Sequence, residues 1–142
     1  MSRMSSTTSS QADNSSAIEA GDCFRFREKP ERHLWIVVSD PNLDSDRVLI
    51  VNVTSYRPDV PSCDPACLLE CGDHAFIEHT SYINYYDSRV YTAAHLISLL
   101  ARDKIELHDR LDASVLKRVR DGASLSRRIP FENLMVLIDQ EF

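Results

Sequence analysis

His33-Leu34-Trp35-Ile36-Val37-Val38-Ser39, then Asp40-Pro41-Asn42, then Arg47-Val48-Leu49-Ile50-Val51-Asn52-Val53-Thr54-Ser55: this stretch decides the fold. Both flanking runs are rich in β-branched residues and too short for independent helices, so each reads as a buried strand. The Asp/Pro/Asn/Ser segment between them has turn chemistry. Two strands joined by a short polar turn predict an antiparallel hairpin.

Moving outward, Cys23-Phe24-Arg25-Phe26 alternates apolar and polar behind Gly21-Asp22, which predicts a half-buried strand. A charged loop, residues 27–32, separates it from the hairpin. Residues 1–18 are Ser/Thr-rich with little to bury and are expected to form a disordered tail. Residues 19–142 then make one domain. On the other side, residues 56–65 carry Pro, Asp and Ser and predict an irregular connection. Short strands are expected at 67–70 and 75–77, split by Gly72-Asp73, and a longer one at 81–86. The period then changes. Ala93, Leu96, Ile97 and Leu100 recur at helical spacing, giving a helix over 92–102. Asp112 is placed as the N-cap of a second helix through Asp121, stopped at Gly122. Leu134-Met135-Val136-Leu137-Ile138 reads as a last strand. Short strands without a βα rhythm exclude a doubly wound sheet and point to an α+β chain. The expected architecture is a small, bent antiparallel β-barrel with two helices appended.

Composition narrows the function classes. The 142 residues are 43% hydrophobic and 27% charged, ordinary for a soluble domain. No run approaches the roughly 18 apolar residues of a membrane span, and Met1 to Ala17 lacks the apolar centre of a secretory signal. The expectation is a cytoplasmic protein with no membrane association. A net charge of −6 argues against gripping long nucleic acid by charge alone, while leaving room for a local cleft that takes a short single strand. In a reducing compartment the four cysteines are expected as thiols or metal ligands.

Gly21-Asp22-Cys23-Phe24, His33 through Ser39, and Val51-Asn52-Val53-Thr54-Ser55 together resemble the opening of the MazF/PemK (Kid) family of toxin endoribonucleases. That family has a Gly-Asp before its first strand, a strand ending in Ser or Gln, and a strand closing on Thr-Ser or Thr-Gly. The resemblance covers residues 20–55, and from Cys63 onward no segment matches. It implies an SH3-like barrel and cleavage of single-stranded RNA without metal or other cofactor, through attack of a ribose 2′-OH on the adjacent phosphate. It also implies a homodimer and a cognate antitoxin as partner. The family's catalytic Thr falls on Thr54. Its catalytic Arg, just before the second strand, falls on His33, with Arg32 one residue earlier. An imidazole lacks the permanent charge and fork of a guanidinium, so either His33 transfers protons here, Arg32 takes the Arg's place, or the activity is altered.

Cleavage by a 2′-OH needs a base, an acid and a cation for the phosphate. The densest polar segment runs from Cys71 to Tyr82 and holds His74 and His79. His33, Thr54 and His79 are therefore the candidate catalytic residues. Arg32, Ser55, His74, Ser81 and Tyr82 are candidates for substrate binding, with Tyr82 or Tyr85 as a base-stacking ring. Taken singly, each His is more often structural, and Thr54-Ser55 also suits a plain strand end. Cys63, Cys67, Cys71 and His74 offer an alternative: three thiols and an imidazole are a zinc set, though four ligands within twelve residues would need a tightly wrapped loop. Lys117, Arg118, Arg120, Arg127 and Arg128 read either as a phosphate-binding patch or as a solvated helix face. Two classes of function thus stand open. One is a toxin-like endoribonuclease; the other is a non-catalytic barrel, zinc-stabilised or not, that binds a protein or nucleic-acid partner.

Overall fold

The computed structural model describes residues 17–28 and 33–142. The start of the expected tail and Arg32 therefore lie outside the described residues. Six strands, β1 (Cys23–Phe26), β2 (Leu34–Val37), β3 (Val48–Ser55), β4 (Leu68–Leu69), β5 (Ser81–Tyr91) and β6 (Ile105–His108), form one sheet in the order β4-β5-β3-β2-β1-β6. Every neighbouring pair is antiparallel. Helices α1 (Ala93–Ala101), α2 (Ala113–Leu125) and α3 (Phe131–Asp139) complete the α+β fold.

The hairpin forms as its sequence dictates, with Leu34 opposite Val53 and Trp35 opposite Asn52. Alternation along its strands sends side chains to two faces. Leu34, Ile36, Leu49, Val51 and Val53 enter one core with Tyr85 of β5, Val115, Leu116, Val119 and Ala123 of α2, and Val136 and Leu137 of α3. Trp35, Val37, Val48 and Ile50 enter a second core with Ile18, Phe24 and Leu96, beneath α1. Both faces being covered explains why the runs read as almost continuously apolar. Ile18 is buried here, so the packed domain begins one residue inside the expected tail.

β5 is longer than the predicted strand and carries an irregularity: Arg89 pairs with Ile50, whereas Asn84 pairs with Asn52. Such a bulge bends a strand and re-aims its side chains. The curled sheet leaves β4 and β6 as edges, and the chain between β4 and β5 bridges them. His74 Nε2 donates to the Asp109 carbonyl at 2.6 Å, and its Nδ1 accepts from the Phe76 amide at 3.0 Å. The Phe76 ring stands edge-on to His108, with centroids 5.9 Å apart. Residues 75–77, expected as a strand, are this turn-rich bridge.

Three further elements differ from expectation. Residues 134–138 are helical, inside α3: a five-residue apolar run does not distinguish strand from helix by period, and Pro130 followed by Glu132 in the first turn favours a helix start. β6 has no counterpart among the expected strands. α2 runs through Gly122 to Leu125, and Asp112 occupies its N-cap position without a side-chain cap bond. Thr92 does cap α1, accepting from the His95 amide at 3.0 Å.

Candidate active cleft

A cleft of about 720 Å³ opens where the β2–β3 hairpin ends and the bridge enters β5. His33, at the mouth of β2, and Thr54 and Ser55, closing β3, contribute one side. Phe76, Glu78 and His79 contribute the other, and Arg57 overhangs from the irregular connection. Register explains the convergence. Ser55 pairs with Ser81, which carries His79 alongside Ser55, and the Tyr56 amide binds the Thr80 carbonyl at 3.1 Å. The Ser55 hydroxyl and His79 Nε2 lie 2.7 Å apart.

The three residues expected to be catalytic thus line one cavity. So do Ser55 and Ser81, although the Ser81 hydroxyl is committed to the His79 carbonyl at 2.9 Å, where it braces the backbone. His74 is a correction to the expected substrate set. It is buried, and both ring nitrogens are engaged in closing the sheet. Tyr82 is buried and edge-on to Tyr56, with centroids 6.2 Å apart. Burial, then the neighbouring Cys63, pushes its phenol above the ordinary range; it is the burial that keeps the ring from being an open stacking face. Tyr85 lies wholly in the core, its hydroxyl donating to the Val119 carbonyl at 2.6 Å. Burial raises its pKa strongly. Arg57 is the residue that sequence reading missed. It sits in a Pro/Asp loop with no local signal, and it supplies the cleft with a cation.

Thr54 has a defined hydrogen-bond polarity. Its Oγ1 donates to Asn52 Oδ1 at 2.9 Å, and Asn52 Nδ2 donates to Asp87 Oδ2 at 2.8 Å. Asp87 comes from the irregular part of β5 and is followed by Arg89, whose guanidinium lies 4.8 Å above the Trp35 ring.

The alternative zinc set is not gathered. Cys67 is buried, Cys71 exposed, and His74 is engaged as above. No group of three or more His, Cys, Asp or Glu among the described residues is placed to hold a metal ion. Cys67 behaves as a buried apolar side chain, its thiol pushed up by burial. Cys23 does likewise, raised to about 12 by burial. Each basic residue of α2 has a partner. Lys117 pairs with Asp121 at 2.8 Å, Arg118 with Asp73 at 3.0 Å, and Arg120 with the Val38 carbonyl at 2.8 Å.

Arg118 has a consequence for the cleft, because Asp73 lies on the bridge that forms its wall. Partial burial pushes the Asp73 carboxyl up. The Glu70 amide and Arg118 outweigh that and leave it below the ordinary value. A depressed carboxylate stabilises the fold above the unfolded value of about 3.9, and that contribution is lost as pH falls through the folded value. Asp73→Asn is expected to cost about 0.5–1 kcal/mol at neutral pH, the range of partly exposed pairs. Thermal melts of the two proteins should converge as pH falls through the lowered folded value; a gap unchanged by acid would show that the carboxylate charge is not what holds the bridge.

No protein-family model and no curated protein matches the sequence. Among solved structures, the chain is similar to one described as an endoribonuclease in complex with its cognate antitoxin from a mycobacterial species. The TM-score is 0.50 at 14% identity, over 80% of this chain and 96% of that one. It is also similar to a chain of MazE–MazF from Deinococcus radiodurans, with a TM-score of 0.48 at 18% identity, over 77% and 94%. The first likeness is one of fold, and it spans most of the chain.

Proposed function

We propose that the protein is a toxin-type endoribonuclease that cleaves single-stranded RNA without a metal. The observation that carries this reading is the gathering of two imidazoles, His33 and His79, with the Arg57 guanidinium around the Thr54-Ser55 strand end. In this reading the substrate 2′-OH displaces Ser55 at His79 Nε2 and gives up its proton there. The 2′-oxygen forms its bond to phosphorus as the bond from phosphorus to the 5′-oxygen breaks. His33 protonates the leaving oxygen, so the products are a cyclic phosphate and a free 5′-OH. Arg57 neutralises charge on the phosphate, in place of the arginine that the resemblance leads one to expect at residue 33. Neutral solution suits imidazoles in both proton roles.

A second copy of the chain and a cognate antitoxin are the partners this reading brings, the latter by analogy with the mycobacterial complex. So does a cytoplasmic location. No helix among the described residues is long and apolar enough to cross a membrane. The second reading, a non-catalytic binding barrel, draws support from the net charge of −6 and the tied-down arginines of α2. Chelator-treated protein incubated with a long single-stranded RNA tests the choice. Discrete fragments ending in cyclic phosphate are the expected result; intact RNA beside demonstrably folded protein would transfer the weight to the binding module.

A further inference from the structure

Lys117, Arg118 and Arg120 have partners, but Arg127 and Arg128 lie beyond α2, in the turn that leads to α3. With Pro61, Pro65, Ala66 and Leu125 they line a second cavity, of about 450 Å³. Its two walls hang on one carboxylate. Asp64 is 5% exposed; its Oδ1 accepts from the Ala66 amide at 3.0 Å and its Oδ2 from the Ser126 hydroxyl at 2.6 Å. The Ser126 oxygen in turn accepts from the Arg128 and Ile129 amides, each at 3.1 Å. Arg128 Nη2 donates across the gap to the Pro61 carbonyl at 3.2 Å. Arg127 has no hydrogen-bond or ion-pair partner among the described residues. Two guanidinium charges thus stand against one buried carboxylate whose oxygens are both engaged, in a chain of net charge −6. Leu125, 71% exposed, and the two prolines add apolar flanks. Cations beside apolar walls suit an anion carried on a partly apolar skeleton, as a nucleotide is.

The cavity adjoins the cleft. The Val60 amide donates to the Arg57 carbonyl and the Cys63 amide to the Val60 carbonyl, both at 3.0 Å. Such turns hold the ends of four residues within about 7 Å, so Pro61 stays close to Arg57. The Tyr56 ring, half-buried and edge-on to Tyr82, follows Ser55 of the cleft. Burial raises the Tyr82 phenol, and Arg128 is near enough to oppose it. From the cleft outward the surface therefore offers a cation, a ring and a cation pair, matching the phosphate, base and phosphate of a single strand. We propose that Arg127 and Arg128 form a second phosphate subsite, reached across the Tyr56 ring, which holds the strand at a linkage outside the one in the cleft. Its ligand comes from the ribonuclease reading; the path beyond the cleft does not.

The test is equilibrium binding of a labelled oligoribonucleotide of about eight nucleotides to a His79→Ala parent, with strand integrity checked on a gel. Adding Arg127→Ala and Arg128→Ala together is expected to weaken binding by about three- to tenfold at low salt. That deficit should shrink by about two- to threefold between roughly 50 and 200 mM salt, because one phosphate contact fewer flattens the log–log slope by about 0.7. Arg127→Ala alone, which breaks no bond among the described residues, should change affinity and slope in the same direction. Strands with one neutral methylphosphonate linkage, moved position by position, locate the contact. A position outside the cleft should lose affinity with the parent and lose none with the double variant. Equal affinity and slope in the double variant, no position that meets this cycle, or no binding of any strand would overturn the proposal. A double variant that keeps the strand but loses a glutamate-rich peptide would overturn it as well, giving the cavity to an acidic protein segment. RNA cleavage by the unaltered protein with an unchanged slope sinks the subsite and leaves the ribonuclease reading standing. An arginine-dependent slope without cleavage does the reverse.

Discussion

Replacing His79 with alanine is expected to lower RNA cleavage by about 10²–10⁴-fold, the usual contribution of one positioned acid or base, while the protein stays folded. His79 is exposed, and among the described residues its ring has one side-chain hydrogen bond, to Ser55 at 2.7 Å. Removing an exposed ring with one such partner leaves no buried group unpaired, so thermal stability should change by about 0.5 kcal/mol or less. The loss should appear in kcat more than in KM, because the proton transfer belongs to the transition state. The limb of the pH–rate profile that reports protonation of the base should vanish as well. Ser55→Ala is the informative companion. If Ser55 only parks the imidazole, its removal costs far less than removal of His79. A Ser55→Ala protein as inactive as His79→Ala would instead make the hydroxyl a participant. Full activity in His79→Ala would remove His79 from the chemistry and leave His33 and Arg57 to account for it.

The convergence on this cleft was partly legible because two of its sides end strands whose apolar alternation is strong. Val51, Val53 and Leu34 fix the hairpin, and the hairpin carries His33 and Thr54 to the same end of the sheet. The Ser55–His79 contact joins residues 24 apart. It depends on the register Ser55 to Ser81, which no local pattern encodes. Arg57 was invisible for a related reason: an exposed arginine among Pro and Asp has the composition of any surface loop. His74 was misread because closing a curled sheet through an imidazole is a tertiary requirement. Its two ring hydrogen bonds reach the Asp109 carbonyl and the Phe76 amide, and only the first spans the sheet. The helix α3 failed on period, its five apolar residues being too few to separate 2.0 from 3.6. Gly122 failed on chemistry, since a glycine late in a helix is usually its stop.

Gly122→Ala is expected to destabilise the fold substantially, and the reason is contact, not conformation. A Cβ at residue 122 would lie 2.5 Å from the Tyr85 hydroxyl oxygen, 2.7 Å from Cys67 Cβ and 3.2 Å from the Ala66 carbonyl oxygen. None of these has room to retreat. Tyr85 is fully buried and its hydroxyl is bound to the Val119 carbonyl one turn earlier in the same helix, while Cys67 is buried at the entry to β4. Alanine would gain about 1 kcal/mol of helix propensity over glycine. Against that stand about 1–3 kcal/mol for overpacking and about 1–3 kcal/mol for a buried hydrogen bond forced apart. Destabilisation therefore wins, by about 2 kcal/mol, and the melting temperature should fall by roughly 5–10 °C. Adding Tyr85→Phe removes the nearest obstructing atom, so the two changes should couple favourably in a double-mutant cycle. Additive losses would show that Tyr85 is not the obstacle. The effect reaches the cleft through α2, because Arg118 on that helix holds Asp73 and the Leu68 carbonyl. A helix lifted off β4 and β5 would slacken the bridge that presents Phe76 and His79. Cleavage should therefore weaken in Gly122→Ala even at temperatures where the protein remains folded, and recover in the double variant together with its stability.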